Sequence, residues 1–260
     1  MHNEKYPYVD IRKKEPELNQ IGIGYDMVQI KEDDVWTNVG RPVSSNYLLI
    51  PNADVRDIVQ DICSKTTWHF DEPKTFFDGK RFMITSTTEE IATDVDVGDA
   101  VSLGIGAWNS YDGTKAFSLF MFINRLVCLN GMLSKQMFNT YKFRHLQSDN
   151  ENWATEPRQA FDFVQTGPSK VKSWAESAKK LMVPLNRVDQ LEDLTKDHLG
   201  KIPVTTYGKI MKRFLSVEED HTGWGFLNAG TNVLWHSKTP TSSMYEQNAE
   251  FTDIMINAYA

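Results

Sequence analysis

In the segment that follows Pro51, apolar and polar residues alternate with the period of a helix. Its apolar positions are Val55, Ile58, Val59, Ile62 and Cys63. Side chains three and four positions apart lie on the same face of an α-helix. The segment therefore predicts an amphipathic helix that begins near Pro51 and Asn52.

Three strand-like stretches follow, and turn residues separate them. Residues 75–77 and 81–87 are rich in aromatic and β-branched side chains, and they flank Asp78-Gly79. Asp-Gly between two such runs is a strong hairpin signal, because both residues tolerate the backbone angles of a tight turn. Residues 100–110 predict a third strand, which a turn at Asp112-Gly113 closes.

The next run, from Lys115 to about Met137, is apolar on nearly every face and encloses Arg125. A helix that is apolar all round is buried, so this run predicts a buried helix. Asn130-Gly131 predicts the end of that helix or a kink in it, because both residues tolerate left-handed conformations. The predicted core order is helix, strand, strand, strand, helix.

Beyond residue 150 the pattern is mostly helical. The predicted helices are 158–164, 169–182, 186–198, 205–215, 223–236 and 244–259. We therefore predict an α+β fold, in which a three-stranded antiparallel sheet with packed helices is followed by a mostly helical C-terminal half. The predicted regions are an N-terminal arm (1–40), an α+β core (41–150) and a helical region packed on that core (151–260).

In the predicted helix 223–236, Trp224, Asn228, Thr231 and Trp235 lie along one stripe. An aromatic stripe of this kind favours core packing over a ligand site. We expect Asn228 and Thr231 to be satisfied across a helix interface, because buried polar groups need hydrogen-bond partners.

The composition is that of a globular protein. The chain has 260 residues, 40% of them hydrophobic, which is enough for a large core. Polar side chains interrupt the longest apolar run, 116–133, so no membrane span of about 18 residues is expected. The N-terminus lacks the basic and apolar regions of a signal peptide, which predicts a cytoplasmic protein.

The sequence lacks the motifs of several enzyme classes. No glycine-rich loop ends in Gly-Lys-Ser or Gly-Lys-Thr, as an ATP-driven enzyme would need. The six histidines lack metal-binding spacing, and Cys63 and Cys128 form no Cys-x-x-Cys pair. We expect no catalytic residue, no cofactor and no metal. A metal-dependent nuclease whose carboxylates meet only in the fold stays open as an alternative.

Charge is distributed unevenly along the chain. The net charge is −7, yet residues 101–148 contain five basic side chains against Asp112 alone. Residues 200–216 contain four basic side chains and no acid. Two such windows could converge on one anion-binding face, and they could equally be solvated helix faces.

Two motifs in the first basic window each allow two interpretations. Arg125 could clamp a phosphate with its bidentate donors, or it could pair with a core acid such as Asp112. Residues 141–145 alternate ring side chains with basic ones, which is an arrangement that can stack bases and neutralise phosphates. The same alternation is typical of a half-buried strand whose rings, including His145, point inward.

Four segments and a later histidine carry a family resemblance. They are Asn109-Ser-Tyr-Asp-Gly-Thr-Lys-Ala-Phe, Arg125-Leu-Val-Cys-Leu-Asn-Gly-Met, Arg144-His, Thr222-Gly-Trp-Gly-Phe-Leu-Asn-Ala-Gly-Thr and His236. In order and spacing they resemble the phage/plasmid-like protein family, a domain-of-unknown-function family of phages, prophages and conjugative plasmids. The chain differs from such proteins at Gly230, where they usually have a larger residue. The resemblance implies mobile elements that replicate, transfer and recombine DNA.

The predicted core topology is similar to that of phage single-strand annealing recombinases. This similarity implies a homo-oligomer, either a ring or a filament. It also implies that the protein binds single-stranded DNA in a basic groove and anneals complementary strands without ATP. Host or phage DNA-processing proteins are further expected partners, and no membrane is expected.

We therefore predict a DNA-binding protein of phage or mobile-element origin that promotes strand annealing and recombination. The predicted nucleic-acid-binding residues are Lys115, Arg125, Lys135, Tyr141, Lys142, Phe143, Arg144, Lys209, Lys212 and Arg213. The basic side chains would hold the DNA backbone, while Tyr141 and Phe143 would stack on bases. The alternative is an anti-defence protein whose acidic N-terminal hundred residues occupy a host enzyme that acts on DNA.

Overall fold

The structure is a computed structural model, and it describes residues 7–14, 24–127, 130–134, 141–145, 157–185, 202–218, 221–236 and 242–259. The strands in these ranges are β1 (Ile11–Lys14), β2 (Tyr25–Glu32), β3 (Val35–Asn38), β4 (Val43–Ser44), β5 (Lys74–Phe77), β6 (Arg81–Asp96), β7 (Asp99–Ser110), β8 (Phe117–Arg125), β9 (Asn130–Met132) and β10 (Tyr141–Phe143). The helices are α1 (Asn52–Lys65), α2 (Pro157–Gln165), α3 (Gly167–Lys179), α4 (Val204–Ser216), α5 (Gly223–Trp235) and α6 (Ser242–Tyr259). The predicted α+β class is confirmed.

The strands form two sheets. In the smaller sheet the order is β1-β2-β3, and β4 also pairs with β2. In the larger sheet the order is β10-β8-β7-β6-β5, and β9 also pairs with β8. Residues 117–119 of β8 pair with β10, while residues 123–125 pair with β9. The larger sheet therefore has six strands where the sequence predicted three.

The predicted hairpin at Asp78-Gly79 and the predicted turn at Asp112-Gly113 are both confirmed. Strand β5 pairs with β6 through a turn in which Gly79 has a φ of 90°, and Gly113 has a φ of 68° between β7 and β8. Glycine adopts these angles without strain because it has no Cβ atom. The carboxylates of Asp78 and Asp112 accept hydrogen bonds from backbone N–H groups that follow them in the two turns.

The predicted buried helix from Lys115 to Met137 is wrong. Most of that range forms strands β8 and β9, so Asn130-Gly131 lies in a strand and not at a helix end. Every residue of β8 before Arg125 is buried. A strand covered on both faces has no polar alternation, and its sequence pattern therefore cannot be told from that of a buried helix.

Strand β7 accommodates the aromatic rings of β8 at two glycines. A Cβ atom at Gly104 would lie 2.2 Å from the ring of Phe122, and one at Gly106 would lie 2.5 Å from the ring of Phe120. Both distances are far below van der Waals contact. The aromatic residues that suggested a helix core therefore fill the space above glycines of the neighbouring strand.

The chain divides into two compact units that interleave in sequence. The first unit consists of Met1–Thr87, Ile105–Phe120 and Thr140–Gln165. The second unit consists of Thr88–Gly104, Met121–Asn139 and Thr166–Ala260. Strands β6, β7 and β8 contribute residues to both units.

The first unit packs α1 within its core. The apolar face of α1 is buried, as its spacing predicted, and α2 contacts α1. Pro51 precedes the first helical residue, as expected for a helix start.

The second unit is built around α5, which contacts α4, α6 and β9. A Cβ atom at Gly230 of α5 would lie 2.0 Å from the ring of Phe251 in α6. One at Gly131 of β9 would lie 2.4 Å from the ring of Trp235. Gly230 therefore has a packing role: its missing side chain makes room for Phe251.

The helical C-terminal half is confirmed where the structure describes it. Helices α2 to α6 match five of the predicted helices, and the predicted helix 186–198 lies outside the described residues. Thr231 donates a hydrogen bond to the carbonyl of Leu227 at 2.9 Å within its own helix, so the predicted bond across an interface is wrong for this residue. Within the described ranges, no helix is long and apolar enough to cross a membrane.

Candidate functional site

Arg125, the last residue of β8, is bound by Asp99, the first residue of β7. Its Nε donates to Asp99 Oδ1 at 2.7 Å, and its Nη2 donates to Asp99 Oδ2 at 2.7 Å. The indole Nε1 of Trp224 in α5 donates to the same Oδ2, also at 2.7 Å. This is the bidentate geometry of a strong guanidinium–carboxylate pair, and a third donor reinforces it.

A second carboxylate, that of Glu218, lies just beyond the end of α4. Its Oε2 is 3.8 Å from Nη1 of Arg125, and its Oε1 is 3.4 Å from Nε of Arg213. Glu218 Oε1 and Arg213 Nε are both buried, and neither has a hydrogen-bond partner among the described residues. We call Asp99, Arg125, Arg213, Glu218 and Trp224 the arginine–carboxylate cluster.

The electrostatics of the cluster disfavour the ionised form of Glu218. Burial raises the pKa of this carboxyl group above its ordinary value. The guanidinium groups of Arg125 and Arg213 lower it, and the charge of Asp99 raises it again. Burial and the charge of Asp99 together outweigh the two arginines, so the pKa of Glu218 is raised on balance.

The cluster corrects the predicted partner of Arg125. That partner is Asp99, whereas Asp112 belongs to the β7–β8 turn, accepts hydrogen bonds from Thr114 and lies 4.0 Å from Nε of Arg81. Arg125 was interpreted either as a phosphate clamp or as the partner of a core acid, and in the structure it is paired with an acid. It also brings Arg125 and Arg213 onto one carboxylate, although the two residues come from different basic windows.

Strand β10 and the residue that follows it expose two cations and bury the ring of Phe143. Lys142 and Arg144 are exposed, whereas Phe143 is 8% exposed and stacks on Phe117 with ring centroids 5.6 Å apart. Phe143 is therefore a core residue, and its predicted stacking on bases would require it to leave that contact. Tyr141 pairs with Leu119 through the backbone. Its side chain, like the whole of Lys135, lies outside the described residues.

Helix α4 presents a second pair of cations. Lys209 and Lys212 are exposed and lie three positions apart, so they share one helix face. The sequence of α4 contains no acid. Arg213 points to the arginine–carboxylate cluster instead, where Glu218 is its ion-pair partner.

Lys115 lies in the turn between β7 and β8, where its backbone exchanges hydrogen bonds with the hydroxyl of Ser110. Its side chain is half-buried. Lys115, Lys142 and Arg144 thus belong to the first unit, whereas Arg125, Lys209, Lys212 and Arg213 belong to the second.

The first unit contains a polar network that sequence analysis missed. The amide Nδ2 of Asn109 donates to the carbonyl of Ile50 at 2.8 Å and to Oδ1 of Asn52 at 2.9 Å. The backbone N–H of Asn52 donates to the hydroxyl of Tyr111 at 2.9 Å. These bonds tie the start of α1 to the end of β7. We call Tyr47, Asn52, Asn109, Tyr111 and His145 the tyrosine–asparagine network.

The other half of this network surrounds His145. The hydroxyl of Tyr47 donates to the carbonyl of Ser110 at 2.6 Å, and its ring stacks on His145 with centroids 4.7 Å apart. His145 Nδ1 donates to the carbonyl of Leu48 at 2.9 Å, and its buried Nε2 has no hydrogen-bond partner among the described residues. Burial lowers the pKa of His145, although the hydrogen bond to Leu48 raises it. A signal was present, since Asn109, Tyr111 and His145 all lie in the segments of the family resemblance.

Within the part of the chain that the structure describes, no group of three or more His, Cys, Asp or Glu side chains could hold a metal ion. The arginine–carboxylate cluster contains guanidinium groups, which bind anions and not metal ions.

The fold and these two polar clusters define an α+β protein in which two half-buried arginines lie against two carboxylates. Residues 41–254 match the family described as Domain of unknown function (DUF932), and the chain belongs to that family. The predicted membership in a domain-of-unknown-function family is thereby confirmed. The searches of curated proteins and of solved structures gave no match.

Proposed function

We propose that the protein binds single-stranded DNA through the phosphate backbone and promotes annealing of complementary strands without ATP. The observation that carries the proposal is the exposed face of α4, where Lys209 and Lys212 lie side by side in a helix without acids. In a chain with a net charge of −7, an acid-free basic face suits an anionic partner.

Strand β10 supports the same proposal from the first unit. Lys142 in β10 and Arg144 just after it are both exposed and alternate with the buried residues Phe143 and His145. A pair of exposed cations on one face suits contact with successive phosphates of one strand. Tyr141 stays the predicted stacking residue beside them.

Annealing is the finer part of the proposal. It requires that cations reduce the repulsion between two polyanions, and it makes or breaks no covalent bond. It rests on the similarity of the predicted core topology to that of single-strand annealing recombinases. The long packed helix of that predicted topology is strand β8 in the structure. Binding of single-stranded DNA rests on the charges of β10 and α4, and it does not depend on the core topology. The setting in phages or other mobile elements, the host cytoplasm and assembly into a homo-oligomer belong to the same proposal.

Fluorescence anisotropy with a labelled oligonucleotide across a salt series tests the proposal. We expect the logarithm of the affinity to fall linearly with the logarithm of the salt concentration, by about 0.7 per phosphate contact. Addition of the complementary strand should then give duplex faster than in buffer. An affinity that is indifferent to salt would overturn backbone binding. Salt-dependent binding without faster pairing would overturn annealing alone.

A second assay separates the alternatives. If no oligonucleotide binds, a pull-down from host lysate that retains a DNA-acting enzyme supports the anti-defence alternative. Product that forms only with a divalent metal supports a nuclease instead.

A further inference from the structure

The two acids of the arginine–carboxylate cluster contact its arginines with very different geometry. Asp99 accepts three hydrogen bonds of 2.7 Å. Glu218 meets its arginines only at 3.8 Å and 3.4 Å, and its Oε1 has no hydrogen-bond partner among the described residues. A buried carboxylate is stable only when its lone pairs are satisfied, so Glu218 occupies its place at a cost.

The position of Glu218 in the chain adds to that cost. Glu218 follows Val217, the C-cap of α4, and its backbone N–H donates to the carbonyl of Arg213 at 3.4 Å. The C-terminus of a helix carries a partial negative charge, which disfavours a carboxylate there. Burial also raises the pKa of Glu218 in spite of the two arginines. The charges of Arg125 and Arg213 are thus what favours an anion at this place.

We propose that Arg125 and Arg213 form a phosphate-binding pair, and that Glu218 occupies this pair when no ligand is bound. The inference rests on the proposed function, since it takes the phosphate group of a nucleic-acid backbone as the ligand. A phosphodiester carries one negative charge and two unesterified oxygens, as a carboxylate does. Exchange of one for the other therefore leaves the net charge at the pair unchanged.

The surroundings of the pair suit such an exchange. Asp99 accepts from Nε and Nη2 of Arg125, whereas Glu218 lies nearest Nη1, so the bonds to Asp99 can hold the guanidinium in place when the carboxylate of Glu218 leaves. The side chain of Arg213 is 26% exposed although its Nε is buried, so a ligand would reach the pair from the exposed part of this arginine. Lys209 and Lys212 lie on the same helix as Arg213, and they would bind the DNA strand beside it.

The consequence is that Glu218 competes with phosphate. Glu218→Gln keeps the size of the side chain and removes its charge. We expect this variant to bind a labelled oligothymidine about tenfold more tightly than the wild type, and inorganic phosphate more tightly by a similar factor. Arg213→Gln in the Glu218→Gln background should abolish both gains.

The matched control is Glu176→Gln, which removes an exposed carboxylate of the same unit that is bonded to Lys179. All variants are compared at equal ionic strength by anisotropy for the oligonucleotide and by calorimetry for phosphate. Circular dichroism verifies that each variant is folded, and Glu218→Ala serves as a second variant if Glu218→Gln is not. A gain for both probes assigns the site to the phosphate group itself. A higher affinity for the oligonucleotide alone shows that the arginine pair binds the phosphodiester of DNA and not free phosphate.

Two results would overturn the exchange: unchanged affinity of both Glu218 variants, or an equal gain in Glu176→Gln. If the wild type still binds the oligonucleotide in a salt-dependent manner, the proposed function survives this failure. Conversely, a gain in phosphate affinity without oligonucleotide binding by any variant would retain the arginine pair and overturn the proposed function.

Discussion

The two units bury polar groups in contrasting ways. The tyrosine–asparagine network of the first unit is made of uncharged groups joined by hydrogen bonds of 2.6 to 2.9 Å. The arginine–carboxylate cluster of the second unit is charged, and one of its two acids lacks good hydrogen bonds. A neutral network contains no ion that a ligand could replace, whereas the charged cluster contains one. We therefore expect the polar groups of the neutral network to stabilise the fold, and those of the charged cluster to be available for binding a ligand.

The largest expected effect is the loss of the tightly bound acid. Asp99→Ala leaves Arg125 and the indole of Trp224 without their shared acceptor. Breaking such a pair costs about 3 kcal/mol of unfolding free energy, which is the lower end for buried pairs because the Asp99 side chain is 14% exposed. Urea denaturation measures the loss. A change below about 1 kcal/mol would show that the bidentate pair does not stabilise the second unit.

The next effect concerns the neutral network. Asn109→Ala leaves the carbonyl of Ile50 and Oδ1 of Asn52 without their donor, and unsatisfied buried acceptors cost about 2 kcal/mol in total. The same denaturation assay applies, with the exposed Asn46→Ala as the control. If both variants unfold at the same urea concentration as the wild type, the network has no structural role.

His145 gives the first unit a dependence on pH. Because burial lowers its folded-state pKa, the unfolded chain takes up the proton first as the pH falls below the ordinary value of 6.5. Stability should therefore be complete above that value and decrease as the pH falls through the lowered pKa. His145→Gln should flatten this decrease in melting temperature, whereas the exposed His69→Gln should not. Identical pH profiles for wild type and His145→Gln would contradict the buried neutral imidazole.

The smallest effect should come from the loosely bound acid. Glu218→Gln should change the unfolding free energy at neutral pH by less than about 1 kcal/mol, because the charge that it removes is poorly satisfied. Thermal unfolding beside Asp99→Ala gives the comparison directly. A loss as large as that of Asp99→Ala would mean that both acids are structural, and the contrast within the cluster would disappear.

Local patterns predicted the elements whose signals lie close together in sequence. The hairpin at Asp78-Gly79, the turn at Asp112-Gly113 and helix α1 each depend on a few adjacent residues, and all are confirmed. Strand β8 was mistaken for a helix because both its faces are buried, which removes the alternation by which a strand is recognised.

The candidate site depended on long-range contacts that the sequence does not encode locally. Arg125 was recognisable as an arginine that needs a partner, yet Asp99 and Glu218 lie on other elements, and Asp112 was the nearer acid in sequence. The tyrosine–asparagine network joins segments around residues 47–52, 109–111 and 145 in the same way. The basic pairs on β10 and α4 could be predicted, because charge and alternation are visible in sequence.

The central claim is that exposed cations of the two units bind the DNA backbone. Oligonucleotide titrations across a salt series test it most directly, with Lys142→Ala/Arg144→Ala for the first unit and Lys209→Ala/Lys212→Ala for the second. The controls are Lys74→Ala/Lys80→Ala and Lys172→Ala/Lys179→Ala, which remove exposed lysines from the same two units. Each test pair should weaken binding and reduce the salt slope by about 1.4, while the controls retain the wild-type slope. Wild-type slopes in both test pairs would contradict the claim.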